Sequence, residues 1–170
     1  MINQEELKEV LKYSPEEGIF IWLNSKGSCR KGAMAGSVHK TGYHRVVINR
    51  KSYLLHRLAW MYTYGEFPKN FIDHIDGNKS NNRLSNLRVC SQSENMQNSK
   101  LRLDNTSGFK GVSQISQTGK WQVNASLQGK ITFLGQYVDK EEAINTYKAF
   151  CLEHHGEFYR DTTITEGVLN

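Results

Sequence analysis

The sequence predicts an α+β protein built from two modules. Three observations carry that prediction. A central stretch places two apolar-alternating segments around a long polar turn and runs into a capped helix. Downstream, three apolar-polar segments broken at glycines precede a helix with an apolar stripe. Between the two lies NSKLRLDNTS, too poor in large apolar residues to build a core.

In chain order, Asn3 and Glu6 have the spacing of a capping box, and Leu7, Val10 and Leu11 share one helical face, so a short helix is expected that ends before SPEEG. IFIWL and then GYHRVVINRKSYLLH read as short strands, including a hairpin that turns at the polar INRKS. HRLAWMYTYGEFP follows as a brief helix carrying Leu58, Ala59 and Tyr62, stopped by Gly65 with Pro68 close behind. Residues 71–98 are FIDHIDGNKSNNRLSNLRVCSQSENMQN. Ile72 and Ile75 flank Asp73-His74, the polar DGNKSNN reverses the chain, and Leu87 and Val89 alternate on the way back. Ser91 with Glu94 forms a second capping box, so a helix begins at SQSENMQN and the unit reads β, β, α over about residues 70–99.

The first module thus covers residues 1–99, with a linker over 100–106. FKGVSQ, GKWQVNASLQ and GKITFLGQYV then form a three-stranded antiparallel meander. Asp139 and Glu142 cap a final helix whose Ala143, Ile144, Tyr147, Phe150 and Cys151 recur at helical spacing, a stripe that covers one sheet face. This second module spans 107–160 and leaves a tail over 161–170.

Composition narrows the partner. Of 170 residues, 38% are hydrophobic and 23% charged, a globular balance. Lys and Arg number 22 against 17 Asp and Glu, a net charge of +5 that favours a polyanion such as nucleic acid. Cys29, Cys90 and Cys151 are odd in number and far apart, which fits neither a disulfide framework nor a thiolate zinc site. The N-terminus is acidic and has no apolar signal core, and no apolar run reaches the roughly 20 residues of a membrane span. A soluble, intracellular protein is expected.

The central stretch has the groups that phosphodiester hydrolysis needs, a hard cation to neutralise developing charge and a base to prepare water. Asp73 offers a carboxylate oxygen and Asn95 an amide oxygen, ligand types that suit Mg²⁺ or Mn²⁺, one ion per site. His74 is the natural general base, and Asn86, set across the hairpin, is expected to orient its ring. Neighbouring strand residues face opposite ways, so Asp73 and His74 share a direction only if the backbone bends there. His56, in LLHRLAW, reads as structural, and Asn78, Asn81 and Asn82 as turn formers.

DHIDGN, NNRLSNLR and SENMQN together resemble the signature of HNH nucleases of the homing-endonuclease and phage type, in which a ββα-metal unit cuts DNA. The resemblance implies Asp73 and Asn95 as metal ligands, His74 as general base and Asn86 as its partner. Asn95 stands where many members have His. Upstream, GYHRVVINRKSYLLHRLAW is similar to the segment that often precedes the motif in phage proteins. Residues 107–160 resemble an AP2 DNA-binding domain through Gly111-Val112, Gly119-Lys120-Trp121, Leu134-Gly135, Glu142-Ala143 and Tyr147. In that family the sheet lies in the major groove, which implies DNA contacts from Lys110, Ser113, Gln114, Asn124, Ser126 and Lys130, with Phe133 nearby and Trp121 in the core. Plant members carry more arginine at these places, so amide contacts and phosphate binding are expected here. Arg83 and Arg88 are expected on the phosphate backbone.

The implied function is a monomeric, metal-dependent endonuclease that nicks double-stranded DNA. The rival is a DNA-binding regulator with an inactive nuclease motif, and an RNA-directed role ranks third.

Overall fold

The structure is a computed structural model that describes residues 1–25, 27–98, 101, 105–127 and 129–159. Most of the expected linker and all of the expected tail lie outside these residues. The chain divides into two compact units, the first ending at Ser91 and the second beginning at Gln92.

In the first unit, Asn3 caps α1 (Gln4–Val10) through both halves of a capping box with Glu6. The helix then runs directly into β1 (Leu11–Ser14), which pairs antiparallel with β2 (Ile19–Trp22). Leu11, expected on the helix, instead opens β1, because in a short segment Leu11 and Tyr13 fit either period. A three-stranded sheet follows, β3 (Ser37–Val38), β4 (His44–Ile48) and β5 (Lys51–Leu54), in that order. The β4–β5 hairpin turns at Asn49 and Arg50, both with positive φ (48° and 64°), as a two-residue turn between twisted strands requires. α2 (Leu55–Tyr64) packs Leu55, Leu58, Ala59 and Met61 into a core shared with Leu7, Leu11, Tyr13, Phe20, Val46 and Ile48. The final pair is β6 (Phe71–His74) against β7 (Leu87–Cys90), whose Ile72 and Leu87 join the same core.

In the second unit, α3 (Gln92–Gln97) comes first. The expected meander is present as β8 (Val112–Gln114), β9 (Trp121–Leu127) and β10 (Lys130–Tyr137), with β9 central. α4 (Lys140–His155) is capped by Asp139, whose carboxylate accepts the amides of Glu141 and Glu142. Its Ala143 and Ile144 pack on Val112 and Val123, with Phe109, Trp121, Leu134, Tyr137 and Tyr147 around them. Gly111 (φ 68°) has no room for a side chain, since a Cβ there would lie 2.1 Å from the Tyr147 ring and 2.4 Å from the Asn124 carbonyl. Among the described residues, no helix is long and apolar enough to cross a membrane.

Candidate active site

β6 and β7 pair in unbroken register, Asp73 opposite Arg88 and His74 opposite Leu87. The bend expected at Asp73-His74 is therefore absent from the ladder. Both residues are nonetheless buried, at 6% and 3% exposure.

His74 makes a hydrogen bond from Nε2 to Asn82 Oδ1 at 3.2 Å. That corrects the expected role of Asn86. The Asn86 amide is spent on the turn: Oδ1 accepts the Asp76 N–H at 3.0 Å, and Nδ2 donates to Asp76 Oδ1 and to the Asn81 carbonyl, each at 2.9 Å. The Asn86 carbonyl also accepts the Ile75 N–H. Asn86 thus closes the loop that leaves His74 and does not touch the ring. Asp76 is the hub of this loop. Burial pushes its carboxyl up, but donors from Asn81, the Asn78 amide and Asn86, with His74 nearby, outweigh that and hold it below the usual range.

Asn82 was expected only as a turn former, yet it is 2% exposed. Its carbonyl accepts the Tyr13 hydroxyl at 2.6 Å, and Leu84 N–H donates to the Pro15 carbonyl, which ties the DGNKSNN loop to the β1–β2 hairpin. Gly18 (φ 74°) lies under the same loop, and a Cβ there would meet Arg83 N at 2.4 Å. Burial pushes the Tyr13 hydroxyl up to about 12, with Tyr64 adding to the shift, so it stays a donor. The sequence signal for Asn82 was the doubled Asn81-Asn82, but which asparagine turns inward depends on a partner 69 residues away.

The His74 ring is walled by two others. His56 lies edge to face, with centroids 5.1 Å apart and planes at 75°, and Tyr43 lies 6.0 Å away. Burial lowers the His74 pKa, outweighing the Asn82 bond and the charges of Asp76 and Asp73, with Lys79 acting in the same direction as burial. The imidazole is therefore neutral at physiological pH. Burial, then Asp73 and Cys90, pushes the Tyr43 hydroxyl up.

Asp73 is paired across the strands. Arg88 donates to its Oδ2 from Nε at 3.0 Å and from Nη2 at 2.8 Å. Arg88, expected on DNA phosphate, is committed to this carboxylate, whereas Arg83 is exposed. Among the described residues, no group of three or more His, Cys, Asp or Glu side chains is gathered for a metal. Asn95 lies on α3, in the second unit.

The residues expected to touch DNA from the sheet fall into two sets. Val112, Val123 and Ala125 are buried on the helix side, so Ser113, Asn124 and Ser126 face outward. Their cross-strand partners Gln122, Phe133 and Ile131 share that face. Gln114 and Lys130 pair with Trp121 and Leu127 and belong to the opposite parity, at strand ends. Lys110 donates from Nζ to the Gln97 carbonyl at 3.0 Å. Phe133 is 58% exposed, and Trp121 packs in the core as expected.

Residues 53–97 match the HNH endonuclease family. Protein 3.8 of Escherichia phage T7 is 41% identical over 76 residues, covering 44% of this chain and 63% of that protein. The DNA endonuclease I-HmuI of Bacillus phage SP01 is 33% identical over 88 residues, 49% of this chain and 48% of that protein. The solved structure of DNA binding and cleavage by the HNH homing endonuclease I-HmuI aligns with 52% of this chain and 51% of that one, at 29% identity and a TM-score of 0.42. The chain thus spans only part of the length of these curated relatives. Its central segment is similar to the HNH endonuclease family, and a homing endonuclease is among the proteins it resembles.

Proposed function

We propose that the protein is a divalent-metal-dependent DNA endonuclease that hydrolyses phosphodiester bonds of duplex DNA with His74 as general base. The observation that carries this reading is the His74 imidazole: buried, neutral, held on one nitrogen by Asn82, and next in sequence to a buried carboxylate.

With Nε2–H donated to Asn82 Oδ1, the basic lone pair lies on Nδ1, where it takes the proton of an attacking water. A base positioned in this way contributes about 10² to 10⁴ in rate. Asn86 acts one step removed, because its bonds to Asp76 and Asn81 fix the loop into which His74 leads. Asp73 and, on the family pattern, Asn95 are the metal ligands. The donor chemistry fits the group: a carboxylate and an amide oxygen are hard donors, and Mg²⁺ or Mn²⁺ needs few protein ligands because water and phosphate complete its shell. Arg88 already holds that carboxylate through Oδ2, so a cation would have to bind Asp73 beside the guanidinium. Such an ion, when bound, neutralises the charge that develops on the phosphate.

The second unit places the site on its target as an AP2-like reader. Its outward sheet face of Ser113, Gln122, Asn124, Ser126, Ile131 and Phe133 is presented to a groove, and amide groups there suit base edges. I-HmuI is named for its action on DNA, and the same substrate is proposed here. Arg83 and Lys130 serve the phosphates, so binding weakens as salt rises. A single site in a monomer cuts one strand.

The Asp73–Arg88 ion pair favours a second reading, a DNA-binding regulator in which arginine has taken the place of the metal. Supercoiled plasmid treated with wild type or His74→Ala, with Mg²⁺, Mn²⁺ or chelator, separates the two. The endonuclease nicks only with metal and loses nicking in His74→Ala while still shifting DNA in a gel. A protein that shifts DNA and never cuts is the regulator.

A further inference from the structure

We propose that the second unit selects A·T base pairs from the major groove of duplex DNA, with Asn124 hydrogen-bonding adenine and Phe133 and Ile131 packing on the 5-methyl groups of thymine. The inference rests on the reading of this sheet as a DNA reader and adds the base pair it selects.

The outward face of the sheet is built in rows. Gln122 lies opposite Gln136, Asn124 opposite Phe133 and Ser126 opposite Ile131, and directly opposed residues on antiparallel strands share a face. A register shift between Phe133 and Gly135 keeps both Phe133 and Gln136 outward, where unbroken alternation would turn one of them inward. None of these side chains is charged. Lysines stand at the strand ends instead, Lys120 before β9 and Lys130 at the start of β10. That division gives phosphate to the rim and leaves the face to the bases.

Guanine presents two acceptors in the major groove and is met by arginine or lysine, whereas adenine presents an acceptor beside a donor and is met by an amide. The face holds amides and no cation, so adenine is the purine it suits. Its apolar members point to the other half of the pair. Phe133 is 58% exposed and Ile131 80%, two residues apart on β10, so they form an apolar patch on an otherwise polar face. Among the four bases only thymine carries a methyl group on its major-groove edge, and apolar side chains contact it. Rows two residues apart on a strand are separated by about 7 Å, roughly two base-pair steps, so the two apolar residues reach thymines of separate pairs along one groove.

The test measures binding by full-length protein in chelator, so that no strand is cut. Wild type selects from a library of random-sequence duplexes, and the recovered consensus is rebuilt in two forms. Uracil in place of thymine removes only the 5-methyl groups, and 7-deazaadenine in place of adenine removes the N7 acceptor. The consensus is expected to contain a run of A·T pairs. Uracil should weaken wild-type binding about fourfold for each contacted methyl group, about tenfold or more for two, and 7-deazaadenine should weaken it about fivefold. Ile131→Ala/Phe133→Ala should lose the uracil effect, and Asn124→Ala the 7-deazaadenine effect. The comparison on wild type stands whether or not a variant folds.

A G·C-rich consensus overturns the proposal. So does an A·T consensus whose uracil form binds as tightly as its thymine form, because groove shape and not methyl contact is then read. A thymine preference that survives in the folded double variant overturns it too. Duplex binding indifferent to that variant, together with a dimer that the same change dissolves, assigns the face to a second copy of the chain. The underlying reading fails separately: a protein that retains duplex without a consensus loses the base-pair assignment alone, whereas one that retains no duplex is not a DNA reader at all.

Discussion

Asn82 Oδ1 lies 3.2 Å from His74 Nε2, and the same asparagine's carbonyl accepts the Tyr13 hydroxyl at 2.6 Å. One residue therefore links the imidazole to the β1–β2 hairpin. Removing its amide leaves Nε2 without its acceptor and lets the ring take the wrong tautomer. Asn82→Ala is expected to slow nicking by about 10- to 100-fold while gel-shift affinity for duplex DNA stays near wild type. Asn86→Ala acts differently. It removes a buried amide and the three hydrogen bonds it makes to the loop, so urea unfolding should report a loss of about 1–3 kcal/mol.

The hairpin under the loop gives a second expectation. A methyl at Gly18 combines a positive φ with a contact of 2.4 Å to the Arg83 amide nitrogen, and backbone cannot yield as a flexible side chain can. Gly18→Ala should cost about 2 kcal/mol or more in thermal or urea unfolding and reduce cleavage with it, since the Asn82 segment must shift. Tyr13→Phe removes only the hydroxyl, and a loss of about 1 kcal/mol is expected.

Acid should weaken the first unit through its buried histidines. His56 is pushed from 6.5 to about 3, and His74 is lowered as well. The unfolded chain binds protons that the fold excludes, so this stability is complete above pH 6.5 and is lost as pH falls toward 3. Asp76 adds a loss of the same sign only near and below its ordinary value of 3.8. Urea unfolding between pH 7 and 5 isolates the histidines. His56→Phe should flatten the slope by an amount that approaches one proton, about 1.4 kcal/mol per pH unit, at the acid end of that range.

On the sheet, outward parity separates residues that the sequence grouped together. Asn124 and Ser126 stand on the face opposite Val123 and Ala125, while Lys130 lies at the β10 end opposite Leu127. A carboxylate on that face repels phosphate, so Asn124→Glu and Ser126→Glu should each weaken duplex binding by about tenfold, with melting temperature kept. Lys130→Gln should lower affinity evenly across sequences and reduce the slope of affinity against salt by about one charge.

Local signals carried most of the architecture. Asn3 with Glu6, Asp139 with its following amides, and the glycine-bounded strands of the second unit are decisions made within a few residues, and each element formed where its caps and alternation placed it. Asp73 and His74 stand out in the sequence because an adjacent carboxylate and imidazole suit phosphodiester chemistry. What surrounds them does not. Asn82 turns inward because Tyr13, far off in sequence, takes its carbonyl, and Tyr43 and His56 reach His74 only through the packing of β4 and α2. Asn86 looked suited to the imidazole by separation, but the carboxylate and amide of Asp76 lie closer to it. Side-chain hydrogen bonds between distant elements leave no period to read.

The Asp73–Arg88 pair gives the last prediction and the one that bears most directly on the metal. Both groups are largely buried, with side-chain exposures of 7% and 11%, and the guanidinium places two nitrogens on one oxygen. Truncating Arg88 deprives a buried carboxylate of a charge partner, and Arg88→Ala is expected to lose about 3 kcal/mol in unfolding free energy without added metal. If Asp73 is a ligand, a divalent cation supplies the missing charge at the same carboxylate. Millimolar Mg²⁺ or Mn²⁺ should then raise the melting temperature of Arg88→Ala by more than it raises that of wild type, and the excess should vanish in Asp73→Asn/Arg88→Ala. Equal metal shifts in wild type and Arg88→Ala would remove Asp73 from the ligand set. That result would leave the arginine as the permanent occupant of the site.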